Sequence, residues 1–205
     1  MSTRALLVIV FRGKRCLAIT GQYDGYPSYE GCIILRFISD EDNLRKLSAA
    51  LSRPIFRSIS KSDLEDINRY RREVVRRENT ADISRPWPEE INRSRPHPSF
   101  SPDNVSDILP LIIAAEGDGV LPVEDSSQDI FLGADYVYVI DLDEYQFEVY
   151  SGLTVTDCVL GDRFEDLLYP YQGEYMTPVL LKRWDLSDLP SEAEFVSVTE
   201  PDADF

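Results

Sequence analysis

Ala5, Leu6, Leu7, Val8, Ile9, Val10 and Phe11 form an unbroken apolar run rich in β-branched side chains. A strand with one wet face alternates between apolar and polar residues, and this one does not, so it reads as a central strand covered on both faces. That demand constrains every other element. Arg12, Gly13 and Lys14 supply a turn signal, and residues 15–20 resume as a second strand, so the chain opens on a β-hairpin. A second hairpin is read in residues 135–143 and 144–150, with its turn near Asp143 and Glu144. Its second arm alternates, with Tyr145, Phe147 and Val149 on one face and Gln146, Glu148 and Tyr150 on the other. Residues 175–184 read as one more strand, which Pro178 confines to an edge or to a strand start. With helices between and after these units, the expected class is α+β: an antiparallel sheet built from two hairpins plus a C-terminal strand, with helices packed against it.

Helical spacing appears first at Ile33, Ile34, Phe37, Ile38, Leu44, Leu47 and Leu51, with Ser39 and Asp40 marking a split. Ser39 followed by Asp42 is a loose N-cap signature. Residues 52–60, with Pro54, read as a connection. The stretch Ser60-Lys61-Ser62-Asp63 supplies a cap signal for a helix expected to run to about Arg77, whose Arg69, Arg72 and Arg76 share a face that reads as solvated. Residues 78–102 are rich in Pro, Ser and Arg and read as a surface-loop insertion that carries the single histidine, His97. Val105, Ile108, Leu109, Ile112 and Ile113 have helical spacing, with Pro110 tolerated only in the first turn. Residues 118–134 read as an acidic loop, 162–169 as a short helix and 185–190 as a turn of helix. The 205 residues therefore suit a single α+β domain over 1–190, with an acidic, frayed tail over 191–205.

The formal net charge is −16, and it is unevenly spread: residues 1–100 hold 18 Lys/Arg against 13 Asp/Glu, and residues 101–205 hold 3 against 24. Such a balance disfavours direct binding to nucleic acid or to an anionic membrane. It also admits an acidic decoy that engages a nucleic-acid-binding protein. Cys16, Cys32 and Cys158 form no CxxC pair, which argues against a disulfide scaffold or a zinc site. The apolar run after Arg4 is too short to span a membrane and precedes no cleavage site, so a soluble cytoplasmic protein is expected.

Functional chemistry concentrates in residues 22–31, which hold Tyr23, Tyr26, Tyr29, Asp24, Glu30, Gly25, Pro27 and Gly31. Tyrosines offer flat contact area at low entropic cost, and carboxylates accept hydrogen bonds from cationic or polyhydroxyl ligands. The candidate ligand-binding set is Arg4, Tyr23, Asp24, Tyr26, Glu30 and Asp141. Asp141 and Asp143 share a strand face, and with Asp24 they could hold a hard cation or act as an acid/base pair. Ser2 would be an N-terminal nucleophile once Met1 is removed, and Cys16 and Cys32 read as core residues. No P-loop, GxGxxG, HExxH or GxSxG occurs, so no cofactor is implied.

Six segments stand out together: Ser2-Thr3-Arg4 before an apolar strand, residues 21–27 with Gly31, residues 138–143, residues 148–150, and the closing Pro178-Val179 and residues 186–190. In this combination they resemble a family of uncharacterised proteins from filamentous fungi and from bacteria and their phages. Typical members begin with Gly-Thr-Arg and carry tryptophan where Tyr23 stands. The resemblance touches both ends and the second hairpin, leaves about 52–102 uncovered, and implies no activity. The expected function is recognition of a small molecule or protein through residues 22–31. The alternative is a hydrolase using the same loop with Asp141.

Overall fold

A computed structural model describes residues 3–80, 104–115, 119–123, 134–155, 163–164, 169–171 and 174–200. The expected class holds: the protein is α+β. Strands β1 (Ala5–Phe11), β2 (Lys14–Gly21), β5 (Tyr136–Asp141), β6 (Gln146–Val155), β7 (Tyr169–Tyr171) and β8 (Glu174–Asp185) form one sheet in the order β2-β1-β5-β6-β8-β7. Both expected hairpins are present and antiparallel. The sheet is nevertheless mixed, because β1 and β5 run parallel, with Ala5 opposite Tyr136 and Val10 opposite Asp141. Strand polarity across a junction of two hairpins depends on how the intervening chain crosses over, which periodicity does not encode.

The apolar run of β1 behaves as its composition demands: residues 5–10 are buried on both faces. Alternation along the strands divides the interior in two. Leu7, Ile9, Tyr138, Ile140, Phe147 and Val149 face the helices and form the larger core with them. Leu6, Val8, Val10, Val137, Val139, Tyr150 and Phe164 form a smaller core on the opposite face.

The helical side begins with a π-helical turn (Pro27–Gly31), followed by α1 (Cys32–Ile38) and α2 (Glu41–Leu51). The split falls where expected, but Asp40, not Ser39, caps α2 by accepting from the Asp42 N–H at 2.9 Å. Ser39 instead donates its hydroxyl to the Leu35 carbonyl. Helix α3 (Lys61–Thr80) starts on a reciprocal cap: Ser60 Oγ accepts from Asp63 N–H and Asp63 Oδ2 accepts from Ser60 N–H. On its basic face Arg69 pairs with Asp66 and Arg76 with Glu73. A 3-10 turn (Val105–Asp107) leads into α4 (Ile108–Ala114), with Pro110 in the first turn. The connection at 52–60 and the loop at 118–134 contain two strands that periodicity missed, β3 (Phe56–Ser58) and β4 (Leu121–Val123), paired in parallel. Three residues are too few for a period of two to show.

The tail expected from 191 is corrected over α5 (Glu192–Thr199). Ser191 caps it by accepting from Glu194 N–H. Its Phe195 is fully buried, with ring centroids 5.9 Å from Phe147 and 5.3 Å from Trp184. Acid-rich composition concealed a single apolar stripe strong enough to dock the helix. Pro178 sits where one side of β8 pairs with β6 and the β7 pairing has already ended at Met176. The insertion at 78–102 lies outside the described residues beyond Thr80, as does most of 162–169.

The two hairpin turns are clamped to each other. Arg12 and Gly13 have φ of +54° and +69°, as a two-residue turn matched to strand twist requires. Both N–H groups donate to Asp143, at 2.7 Å each. Asp143→Ala removes both charge-assisted bonds. It is expected to lower stability by about 1–2 kcal/mol, read as a reduced urea midpoint at constant m-value.

Candidate functional site

The segment after Gly21 is held to the body at several points. Gly25 N–H donates to the Thr3 carbonyl at 3.0 Å, and the buried Tyr138 hydroxyl donates to the Gly25 carbonyl at 2.9 Å. A Cβ at Gly25 would stand 2.7 Å from the backbone of Arg4 and Ala5, so this close approach requires glycine. Ser28 N–H donates to Glu200 Oε2 at 3.0 Å. The π-helical turn closes with Gly31 N–H on the Tyr26 carbonyl, and Gly31 itself packs against the Phe195 and Tyr138 rings. Asp24 takes a φ of +49°, a conformation tolerated by Asp and Asn.

On this tethered backbone Tyr23, Tyr26 and Tyr29 remain 56%, 37% and 48% exposed. Glu30 does the opposite: it is fully buried. Its Oε1 accepts from Ser106 N–H at 2.5 Å, so it caps the 3-10 turn before α4, where Asn104 makes no side-chain cap. Its Oε2 is the buried side-chain oxygen without a hydrogen-bond partner among the described residues. Burial pushes the Glu30 carboxyl above its ordinary value; the Ser106 N–H and hydroxyl oppose this, and Asp107 and Asp24 add to it. The Tyr138 phenol is likewise raised by burial, and Tyr136 by burial with Glu200, Asp135 and Tyr26 nearby.

Arg4 belongs to the same region. Its N–H donates to Asp135 Oδ2 at 2.8 Å, its carbonyl accepts from Asp135 N–H, and its side chain is exposed. Arg4, Tyr23, Asp24, Tyr26 and Glu30 therefore assemble at one end of the sheet. Asp141 does not join them. It lies five register steps along β1 from Ala5, on the order of 17 Å, and on the face opposite the helices. The expected grouping of Arg4, Asp24 and Asp141 is thus corrected: Asp141 and the loop share no cleft.

Asp141 instead anchors a buried charge network. Its Oδ1 accepts from Asp143 and Glu144 N–H at 2.9 Å, and its Oδ2 accepts from Arg163 Nη2 at 2.5 Å. Arg163 Nε reaches Glu148 Oε2 at 2.6 Å, where the Tyr150 hydroxyl also donates, and Arg183 Nε reaches Glu148 Oε1 at 2.6 Å. Glu148 is fully buried, although strand alternation had put it on the polar face. Its placement opposite Arg183 across β6 and β8 is the one signal that register alone would have supplied. Arg15 sits over the Phe164 ring and Tyr150 meets it edge-on, which completes this covering of the second face.

Other candidate groups are placed as follows. Burial raises the Cys16 thiol to about 11, and Cys32 is also raised, so neither is a thiolate near neutral pH. Ser2 and His97 lie outside the described residues. Among the described residues no three His, Cys, Asp or Glu side chains gather to hold a metal ion, and no helix is long and apolar enough to cross a membrane. A cleft of about 290 Å³ lies between residues 15–18 of β2 and residues 56–58 of β3, toward the turn end of the first hairpin and away from the tyrosines. No protein-family model matches the chain, and neither a curated protein nor a solved structure shows significant similarity to it.

The buried carboxylates Glu30, Asp141 and Glu148 make two variants informative. A carboxyl raised by folding stabilises fully below its unfolded pKa and loses that contribution as pH rises through the folded pKa. Glu30 should therefore make the wild type lose stability upward from about 4.5. Glu30→Gln should flatten that slope, measured as melting temperature across pH 4–8. At the other site, Arg163→Met leaves Asp141 and Glu148 short of a cation. It is expected to cost about 3 kcal/mol in urea unfolding.

Proposed function

We propose that this protein is a binding module that recognises a ligand or protein partner through residues 22–31. The observation that carries the reading is the combination of exposed tyrosines with a tethered backbone. Tyr23, Tyr26 and Tyr29 account for three of the seven exposed large hydrophobic side chains among the described residues, and all three lie in one short loop. An exposed aromatic cluster is a usual mark of an interaction surface. Ordinarily a loop loses affinity to the entropy of ordering itself on binding. Here the bonds from Thr3, Tyr138 and Glu200 hold the loop in place without a partner, so its contact area is presented already ordered. A π-helical turn inside this segment is a further feature that recurs at functional sites. The resemblance to uncharacterised fungal, bacterial and phage proteins includes this loop and is compatible with the reading without specifying a partner.

The test is selection of a random-peptide library on the immobilised full chain, followed by calorimetry of the enriched peptides. Tyr23→Ala and Tyr29→Ala should each weaken binding about tenfold or more, with melting temperatures unchanged, because both side chains project from the fold. Enriched peptides that bind both variants as tightly as the wild type would overturn the proposal.

A further inference from the structure

The surroundings of the loop also say what kind of partner it fits, on the assumption that the loop is the recognition surface proposed above. We infer that its occupant is a peptide segment bearing arginine or lysine, whose cation is received by the exposed tyrosines and the carboxylates around them. The aromatic part is Tyr23, Tyr26 and Tyr29. The acidic part is assembled from three distant places in the chain. Asp24 precedes Gly25, which is packed on Arg4 and Ala5. Asp135 is bonded to the Arg4 N–H, and Glu200 is bonded to the Ser28 N–H. Tyr136 lies among them, influenced by Glu200, Asp135 and Tyr26 together.

A second, independent observation lies beneath this surface. Glu30 Oε2 is fully buried without a hydrogen-bond partner among the described residues. Burial is the main reason the Glu30 carboxyl is raised, and the neighbouring Asp107 and Asp24 charges add to it. Arg4 offers one exposed positive charge at this end, while Arg36 of α1 is already engaged by Glu192 at 2.6 Å. The local excess is therefore acidic, in keeping with the whole-chain charge of −16. A guanidinium or ammonium group suits both halves of such a surface. It is attracted to the negative face of a phenol ring and donates charge-assisted hydrogen bonds to carboxylates. A metal ion suits it less well, since no three carboxylates converge to ligating distance among the described residues. Long-range attraction from the acidic half would also speed encounter with a basic segment and make it salt-dependent.

The experiment uses the full chain and three capped heptapeptides of glycine with two arginines, two lysines or two citrullines, the last being the neutral isostere of arginine. Binding is followed by NMR of the tyrosine rings and by calorimetry at 20 and 300 mM salt. The charge-removing variant is Asp24→Asn with Asp135→Asn and Glu200→Gln. Each substitution keeps its hydrogen-bond acceptor, and Asn is at ease at the φ of residue 24. The inference expects the arginine or lysine peptide to perturb the ring signals. It also expects binding to weaken about tenfold on raising salt and again in the triple variant, and the citrulline peptide to bind at least tenfold more weakly. Equal binding of arginine and citrulline peptides, or an unaffected triple variant, would overturn it. So would tyrosine-dependent peptides from the library that lack basic residues, an outcome that leaves the loop standing as a recognition surface. Failure of every library peptide to depend on the tyrosines would remove both readings together.

Discussion

The parallel pairing of β1 with β5 is the constraint on which the rest of the structure depends. It joins two hairpins separated by more than a hundred residues, and it places the most apolar strand of the chain between two partners. The pairing aligns Ala5 with Tyr136 and Val10 with Asp141, and it thereby decides which loops become neighbours. At one end, Arg4, Asp135 and Gly25 come together. At the other, the Asp143 carboxylate receives the turn N–H groups of the first hairpin. Parallel strands require a long crossover, and here that crossover carries α1, α2 and α4, which cover one face of the sheet together with α5.

The two faces manage their polar groups in opposite ways. On the smaller face, Glu148 is buried among two guanidinium groups and a tyrosine hydroxyl, so the desolvation of its charge is offset by hydrogen bonds to both oxygens. On the helical face, Glu30 has one oxygen bonded to Ser106 and the other without a partner among the described residues. The first arrangement is complete in itself, and it fastens the turn at residues 163–164 to the sheet. The second is incomplete, and it lies under the only short segment where several aromatic side chains face solvent among the described residues. An unsatisfied buried carboxyl costs free energy, and proteins tend to retain such costs near surfaces with a task. That contrast supports the proposal of recognition at the tyrosine loop rather than at the charge network.

Preorganisation links this fold to the proposed recognition. Tyr138 sits in the middle of β5, fully buried, yet its hydroxyl reaches the Gly25 carbonyl. Phe195 of α5 packs against Gly31, and Glu200 just beyond the same helix holds Ser28. The loop's shape is thus set jointly by the central strand and by the C-terminal helix, two parts of the chain that lie far from it in sequence.

Much of the architecture was legible in local pattern. The unbroken run in β1, the alternation in β6, the break between α1 and α2 and the Ser60–Asp63 cap each follow from side-chain periodicity or capping chemistry within a few residues. The dense tyrosines and carboxylates of residues 22–31 marked the candidate surface in the same way. Local pattern carries no information on which strands become neighbours or in which direction, because those choices depend on the summed packing of the whole chain. Only the tertiary structure therefore separated Asp141 from the loop, buried Glu148 against Arg163 and Arg183, and turned the apparent acidic tail into a docked helix. It also decided that Glu30 points inward while its three tyrosine neighbours face outward, since exposure depends on what the rest of the fold brings alongside.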